Sequence, residues 1–125
     1  MAAGAGPTGI VCDDAPGFRV LMSALLREAG VTIHDVGESW ADAERMAPGC
    51  DVIVLDLWMP ELELDCLGRI RTAAPRATLA VVTALDLEDA AGRLGHVAVD
   101  LLLSKSSPPT ETAQRIAAHA GAAAA

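Results

Sequence analysis

Two hydrophobic rhythms take turns along this chain. Short apolar runs alternate with stretches in which apolar residues return every three or four positions. The run Ile10-Val11-Cys12 closes on Asp13-Asp14. A helical rhythm follows over 16–29, with Val20, Leu21, Ala24 and Leu25 at helical spacing and Gly30 as a stop. Residues 31–36 predict a second strand, where Thr32 and His34 alternate with apolar residues as on a sheet edge. Ser39 is placed to cap a helix over 40–47, which Pro48-Gly49 ends. Val52-Ile53-Val54-Leu55 is continuously apolar, as expected of a parallel strand covered on both faces. A helix over 64–74 stops before Pro75, and a strand over 79–82 ends at Thr83. A helix over 87–94, weakened by Gly92, precedes a strand over 99–103 that runs into Ser104-Lys105. Pro108 and Pro109 suit the first turn of a last helix that reaches about residue 119.

Strands alternating with helices throughout predict an α/β fold: a flavodoxin-like, doubly wound parallel sheet of five strands with five helices. At 125 residues there is room for one domain. The expected division is a flexible tail over 1–8, the domain over 9–120 and an alanine-rich tail over 121–125.

Folds of this kind bind ligands at the carboxyl ends of their strands. Four of the five predicted strands end there in residues with chemistry: Asp13-Asp14, Asp56, Thr83 and Lys105. Crowded carboxylates repel one another, and a hard cation such as Mg²⁺ relieves that repulsion through oxygen ligands. A carboxylate such as Asp56 is also a nucleophile toward phosphorus. Lys105 supplies a point cation for a phosphoryl oxygen, Thr83 a hydroxyl donor, and Ala84 a small residue that leaves access. Each residue alone has a plainer reading. Asp13 and Asp14 could merely cap the following helix, Thr83 could be a satisfied strand-end hydroxyl, and Lys105 a solvated surface lysine. Their joint placement at one edge weighs the other way, and Lys105 is the only lysine beside eight arginines.

A net charge of −8 disfavours direct nucleic-acid binding, which needs a basic face. No apolar run is long enough to span a membrane, and residues 1–9 lack the basic and apolar features of a signal peptide. Cys12, Cys50 and Cys66 have neither paired spacing nor an even count, so they read as buried thiols in a reducing, cytoplasmic setting.

The chain resembles the receiver domains of two-component response regulators, over about 8–119. The resemblance is carried by Asp13-Asp14, by Val54-Leu55-Asp56-Leu57-Trp58-Met59-Pro60, by Val81-Val82-Thr83-Ala84 and by Leu102-Leu103-Ser104-Lys105. The segment LSKSSPPTE from Leu103 to Glu111 is similar to receivers of the nitrate-responsive group. The resemblance implies a CheY-like domain in a phosphorelay, with Asp56 as phosphoacceptor and Mg²⁺ as cofactor. Asp14 would be the main acidic metal ligand, Asp13 would assist through water, and Asp56 and the backbone carbonyl of Trp58 would complete the protein ligands. Thr83, Ala84 and Lys105 would bind the phosphoryl group and carry the switch. The donor would be a histidine kinase, a phosphotransfer protein or a small acyl phosphate. Such a domain catalyses only its own phosphorylation and dephosphorylation. Its output or homodimer face would be built from the fourth helix, fifth strand and fifth helix.

Three departures from the pattern bear on output. Leu102 stands where the family usually has an aromatic switch residue, Ser106 replaces a frequent proline, and the loop after Pro60 reads Glu61-Leu62-Glu63-Leu64-Asp65 without the usual Asp-Gly pair. They motivate an alternative, a phosphorylation-independent interaction module on the same scaffold. A small phosphohydrolase is disfavoured, because the sequence offers no separate general acid and no Gly-rich phosphate cradle, and His34, His96 and His119 do not cluster.

Overall fold

Along a strand, successive side chains point to opposite faces. In the interior strands here both sets are apolar, so those strands need a helical layer on either side. The computed structural model, which describes residues 6–59, 64–95 and 99–121, has that arrangement. The strands are β1 (Thr8–Cys12), β2 (Thr32–Gly37), β3 (Val52–Leu55), β4 (Thr78–Thr83) and β5 (Leu101–Ser104). The helices are α1 (Pro16–Glu28), α2 (Trp40–Met46), α3 (Leu64–Ala73), α4 (Leu87–Leu94) and α5 (Pro109–His119). The sheet is wholly parallel, in the order β2-β1-β3-β4-β5. This is the flavodoxin-like fold expected from the pattern, with β2 on an edge.

The face carrying Ile10, Cys12, Ile53, Leu55, Leu79 and Val81 packs with Trp40, Leu67, Ile70 and Leu94 of α2, α3 and α4. The opposite face, with Val11, Val52, Val54, Ala80, Val82 and Leu103, packs with Met22, Leu26, Ala113 and Ile116 of α1 and α5. Leu67 and Ile70 are fully buried, and each such side chain contributes about 1.5–3 kcal/mol by leaving water. Gly9 lets β1 lie close to β3, because a Cβ there would collide with the Val52 carbonyl oxygen. Ser39 caps α2 as expected, its hydroxyl accepting from the Asp42 N–H at 3.1 Å.

Two strand starts differ from the sequence reading by two residues, and the other boundaries by at most one. Thr8, assigned there to the tail, opens β1 and pairs with Thr32. β5 starts at Leu101 rather than at residue 99. The reason is Asp100: its carboxylate accepts from the Leu79 N–H at 2.7 Å and meets Arg71 at 2.8 Å, so a side chain occupies the end of the ladder. Residues 60–63, which hold most of the altered loop, and His96 lie outside the described residues, as do 1–5 and 122–125. None of the described helices is long and apolar enough to cross a membrane.

All three thiols are free and buried. Burial pushes Cys12 up to about 12, and Cys50 and Cys66 each to about 11. A thiol reagent at about pH 8 is therefore expected to leave folded protein almost unlabelled and to modify all three cysteines in denaturant. Rapid labelling of the folded chain would contradict the packing of β1, of the turn between α2 and β3, and of α3.

Candidate functional site

The carboxyl ends of β1, β3, β4 and β5 lie along one edge of the sheet, and register does the assembling. Cys12 pairs with Leu55, Leu55 with Val81, and Thr83 with Ser104. The residue following each strand is therefore delivered to the same place. The Asp56 N–H donates to the Cys12 carbonyl at 3.1 Å and the Lys105 N–H to the Thr83 carbonyl at 2.8 Å, extending the pairing one step beyond the strands.

Carboxylate oxygens of Asp13, Asp14 and Asp56 all lie within 4.8 Å of one another. Asp13 and Asp56 are 2% and 3% exposed, whereas Asp14 is exposed. Two nearly buried carboxylates this close need compensation, and Lys105 provides it. Its Nζ sits 2.8 Å from Asp13 Oδ2 and 3.4 Å from Asp56 Oδ2. Asp13 is further fixed by the Ala15 N–H, which donates to Oδ1 at 2.8 Å, while Arg19 donates to the Asp13 carbonyl at 2.7 Å. The helix-capping reading of this pair fails, since the N-cap position of α1 is Ala15, no acidic residue lies in the first turn, and Asp13 accepts from the Ala15 N–H rather than from an N–H of the helix itself.

Burial, and next the charge of Asp13, raise the Asp56 carboxyl above its ordinary value; the Trp58 N–H, donating to Oδ1 at 3.2 Å, and Lys105 pull the other way. Burial works against the Lys105 ammonium, but Asp13 and Asp56 outweigh it and hold it above the usual lysine range. Thr83 is fully buried, and its Oγ1 accepts from the Leu85 N–H at 3.1 Å, so its own O–H remains a donor. Ala84 is exposed beside it. Leu102 lies one layer away, half-buried against the α4 side of the core.

The structure thus brings Asp13, Asp14, Asp56 and Lys105 together, with Thr83 at the neighbouring strand end. The donor set suits a divalent cation: it is all oxygen and anionic, the preference of a hard ion. Three participants were not singled out from the sequence. Phe18 turns its ring to Lys105, with Nζ 4.5 Å from the centroid. Arg19 secures the Asp13 backbone. Arg93 of α4 lies over the Trp58 ring, 4.9 Å from its centroid. Scarcity was a signal for Phe18 alone, since the chain holds three aromatic residues in all; nothing in the pattern marked either arginine.

The model of the response regulator receiver domain family matches residues 10–117. No curated protein matches the chain. The signal receiver domain of the response regulator NarL from Mycobacterium tuberculosis is similar in structure, with a TM-score of 0.81 at 22% identity over 93% of this chain and 97% of that one. A CheY-like receiver domain protein from Methanospirillum hungatei gives 0.79 at 15%, covering 94% and 95%. A response regulator from Burkholderia pseudomallei, with a phosphorylated aspartic acid, calcium ion and citrate, gives 0.76 at 18%, covering 92% and 69%. At these identities the structures speak to the fold. The family match, which spans nearly the whole α/β unit and all four functional strand ends, settles kinship: this chain belongs to the response regulator receiver domains.

Proposed function

We propose that Asp56 accepts a phosphoryl group, with Mg²⁺ at the acidic cluster, and that the domain relays the event through α4 and its neighbours. The observation that carries this is the buried carboxylate of Asp56 beside a second buried carboxylate and the chain's only lysine. A bond would form between an Asp56 oxygen and phosphorus as the donor's phosphorus–nitrogen or acyl phosphorus–oxygen bond breaks, the leaving group departing with its electron pair. Mg²⁺, when bound, would neutralise charge on the transferring group. Asp14, Asp13, Asp56 and the Trp58 carbonyl are the residues that would hold it. Lys105 would turn from Asp13 to a phosphoryl oxygen, and the Thr83 hydroxyl would donate to another.

A histidine kinase or phosphotransfer protein is the donor this reading implies, and the cytoplasm, where three free thiols persist, is the compartment it fits. Intact-protein mass after incubation with acetyl phosphate and Mg²⁺ tests it. One added phosphoryl group supports the acceptor role; its absence from folded protein overturns it and favours the phosphorylation-independent module.

For output, Leu102 removes the usual aromatic switch, and the Trp58–Arg93 stack offers another route. Trp58 is bonded to Asp56 through its N–H and to α4 through its ring. Trp58 is 47% exposed, while Trp40 is buried. In Trp40→Phe protein, where Trp58 is the only indole, Mg²⁺ is expected to change the fluorescence. A spectrum indifferent to the ion would separate Trp58 from the site.

A further inference from the structure

Among the described residues the Lys105 ammonium has three neighbours, and they differ in kind. Two are the carboxylates of Asp13 and Asp56. The third is the face of Phe18, which sits in the first turn of α1, half-buried against the α1–α5 core. A divalent cation in the acidic cluster would claim the same carboxylate oxygens that now hold the ammonium. It has no use for a phenyl ring. The ring's negative face attracts an ammonium without offering a hydrogen-bond acceptor, so it does not compete for the N–H groups that a phosphoryl oxygen needs. The side chain of Lys105 is only 19% exposed, and a cation–π contact strengthens as water is excluded.

We propose that Phe18 is a positioning residue for phosphoryl binding: its ring keeps the Lys105 ammonium over the site when the metal takes Asp13 and Asp56. The inference rests on Asp56 being the phosphoacceptor. It explains how the lysine stays at a site whose anchoring charges are otherwise engaged in the loaded state.

Because Lys105 is the only lysine, selective ¹³C labelling of lysine reports on it alone. Its ε-methylene protons are expected upfield, shielded by the ring, both without Mg²⁺ and with it, and to lose that shift in Phe18→Leu. Affinity for beryllofluoride at saturating Mg²⁺, a mimic of the bound phosphoryl group, is expected to fall about threefold to tenfold in Phe18→Leu, the size of a partly desolvated cation–π contact. Phe18→Tyr should restore it. Mg²⁺ affinity without the anion should not weaken in Phe18→Leu, which separates positioning from a general loss of packing. Loss of the upfield shift on adding Mg²⁺ to wild type would overturn the proposal, as would unchanged beryllofluoride affinity in Phe18→Leu. A wild type that binds Mg²⁺ but no beryllofluoride overturns the phosphoacceptor reading instead, and the lysine signal still judges the ring contact by itself.

Discussion

Asp56→Asn protein is expected to gain no phosphoryl group from acetyl phosphate and Mg²⁺ under conditions in which wild type gains one. The amide keeps the shape of the side chain and its place beside the Trp58 N–H, but it has no anionic oxygen to attack phosphorus. A second consequence follows from burial. The Asp56 carboxyl is raised by desolvation and by Asp13. A raised carboxyl contributes stability below its unfolded pKa, and that contribution is lost as pH rises through the folded pKa. At higher pH the charge of this buried group therefore weighs against the fold. Asp56→Asn removes that charge and is expected to unfold at a higher temperature than wild type near pH 7, with the gap closing toward pH 4 as the wild-type carboxyl protonates. Mg²⁺ should raise the wild-type midpoint by mass action and the variant's by less. An adduct of wild-type size in Asp56→Asn would move the acceptor elsewhere. A variant less stable than wild type at neutral pH would mean that the Lys105 contact outweighs the burial of Asp56.

Lys105→Met is expected to lose about 2–4 kcal/mol of stability in the absence of divalent cations, a little under the cost of removing one partner of a fully buried pair because the Lys105 side chain keeps some contact with water. Methionine keeps an apolar stem against Phe18, so the loss isolates the charge. Without the ammonium, Asp13 and Asp56 face each other uncompensated, and one of them escapes by taking a proton. Protonating an ordinary carboxylate at pH 7 requires roughly 4 kcal/mol, which bounds the effect. The wild-type contribution has the same pH sense as that of Asp56, since both groups are raised, but it falls in a far more alkaline window. The Lys105 ammonium is held above its usual range, so its stabilisation is complete through the neutral region and is lost as strongly alkaline pH passes the folded pKa. Because a divalent cation supplies the missing positive charge, Mg²⁺ should recover most of the loss. Urea unfolding of both proteins with and without Mg²⁺ gives the four stabilities needed. Equal stability without Mg²⁺, or a loss that the ion does not repair, would mean that Lys105 does not balance these carboxylates.

The chemistry that remains and the switch that has changed pull in different directions. The carboxylates, the hydroxyl and the ammonium of the receiver pattern are in place and gathered at one edge. Leu102, in contrast, packs against the α4 side of the core with no aromatic ring to turn inward. On the proposed function, a phosphoryl group on Asp56 would be transmitted by another route, and among the described residues the Trp58–Arg93 contact connects the Asp56 loop to α4.

Much of this molecule is readable from pattern alone, because the relevant forces are local. Period-two and period-3.6 hydrophobicity determine the strand and helix types, the continuous run Val52-Ile53-Val54-Leu55 implies a strand covered on both faces, and polar residues directly after apolar runs mark the chemical edge. What tertiary structure alone decided is which of those polar groups meet, and in what state. Lys105 and Asp56 are 49 positions apart, and only the order β2-β1-β3-β4-β5 with its register brings them together. Adjacent in sequence, Asp13 is buried and Asp14 exposed, since the twist of one residue at a strand end turns one carboxylate inward and its neighbour out. The late start of β5 depends on Asp100 reaching Leu79 and Arg71, which no local rhythm registers. The rings of Phe18 and Trp58 find Lys105 and Arg93 for the same reason: an aromatic residue declares its hydrophobicity in the sequence, but the cation that rests on its face is chosen by packing.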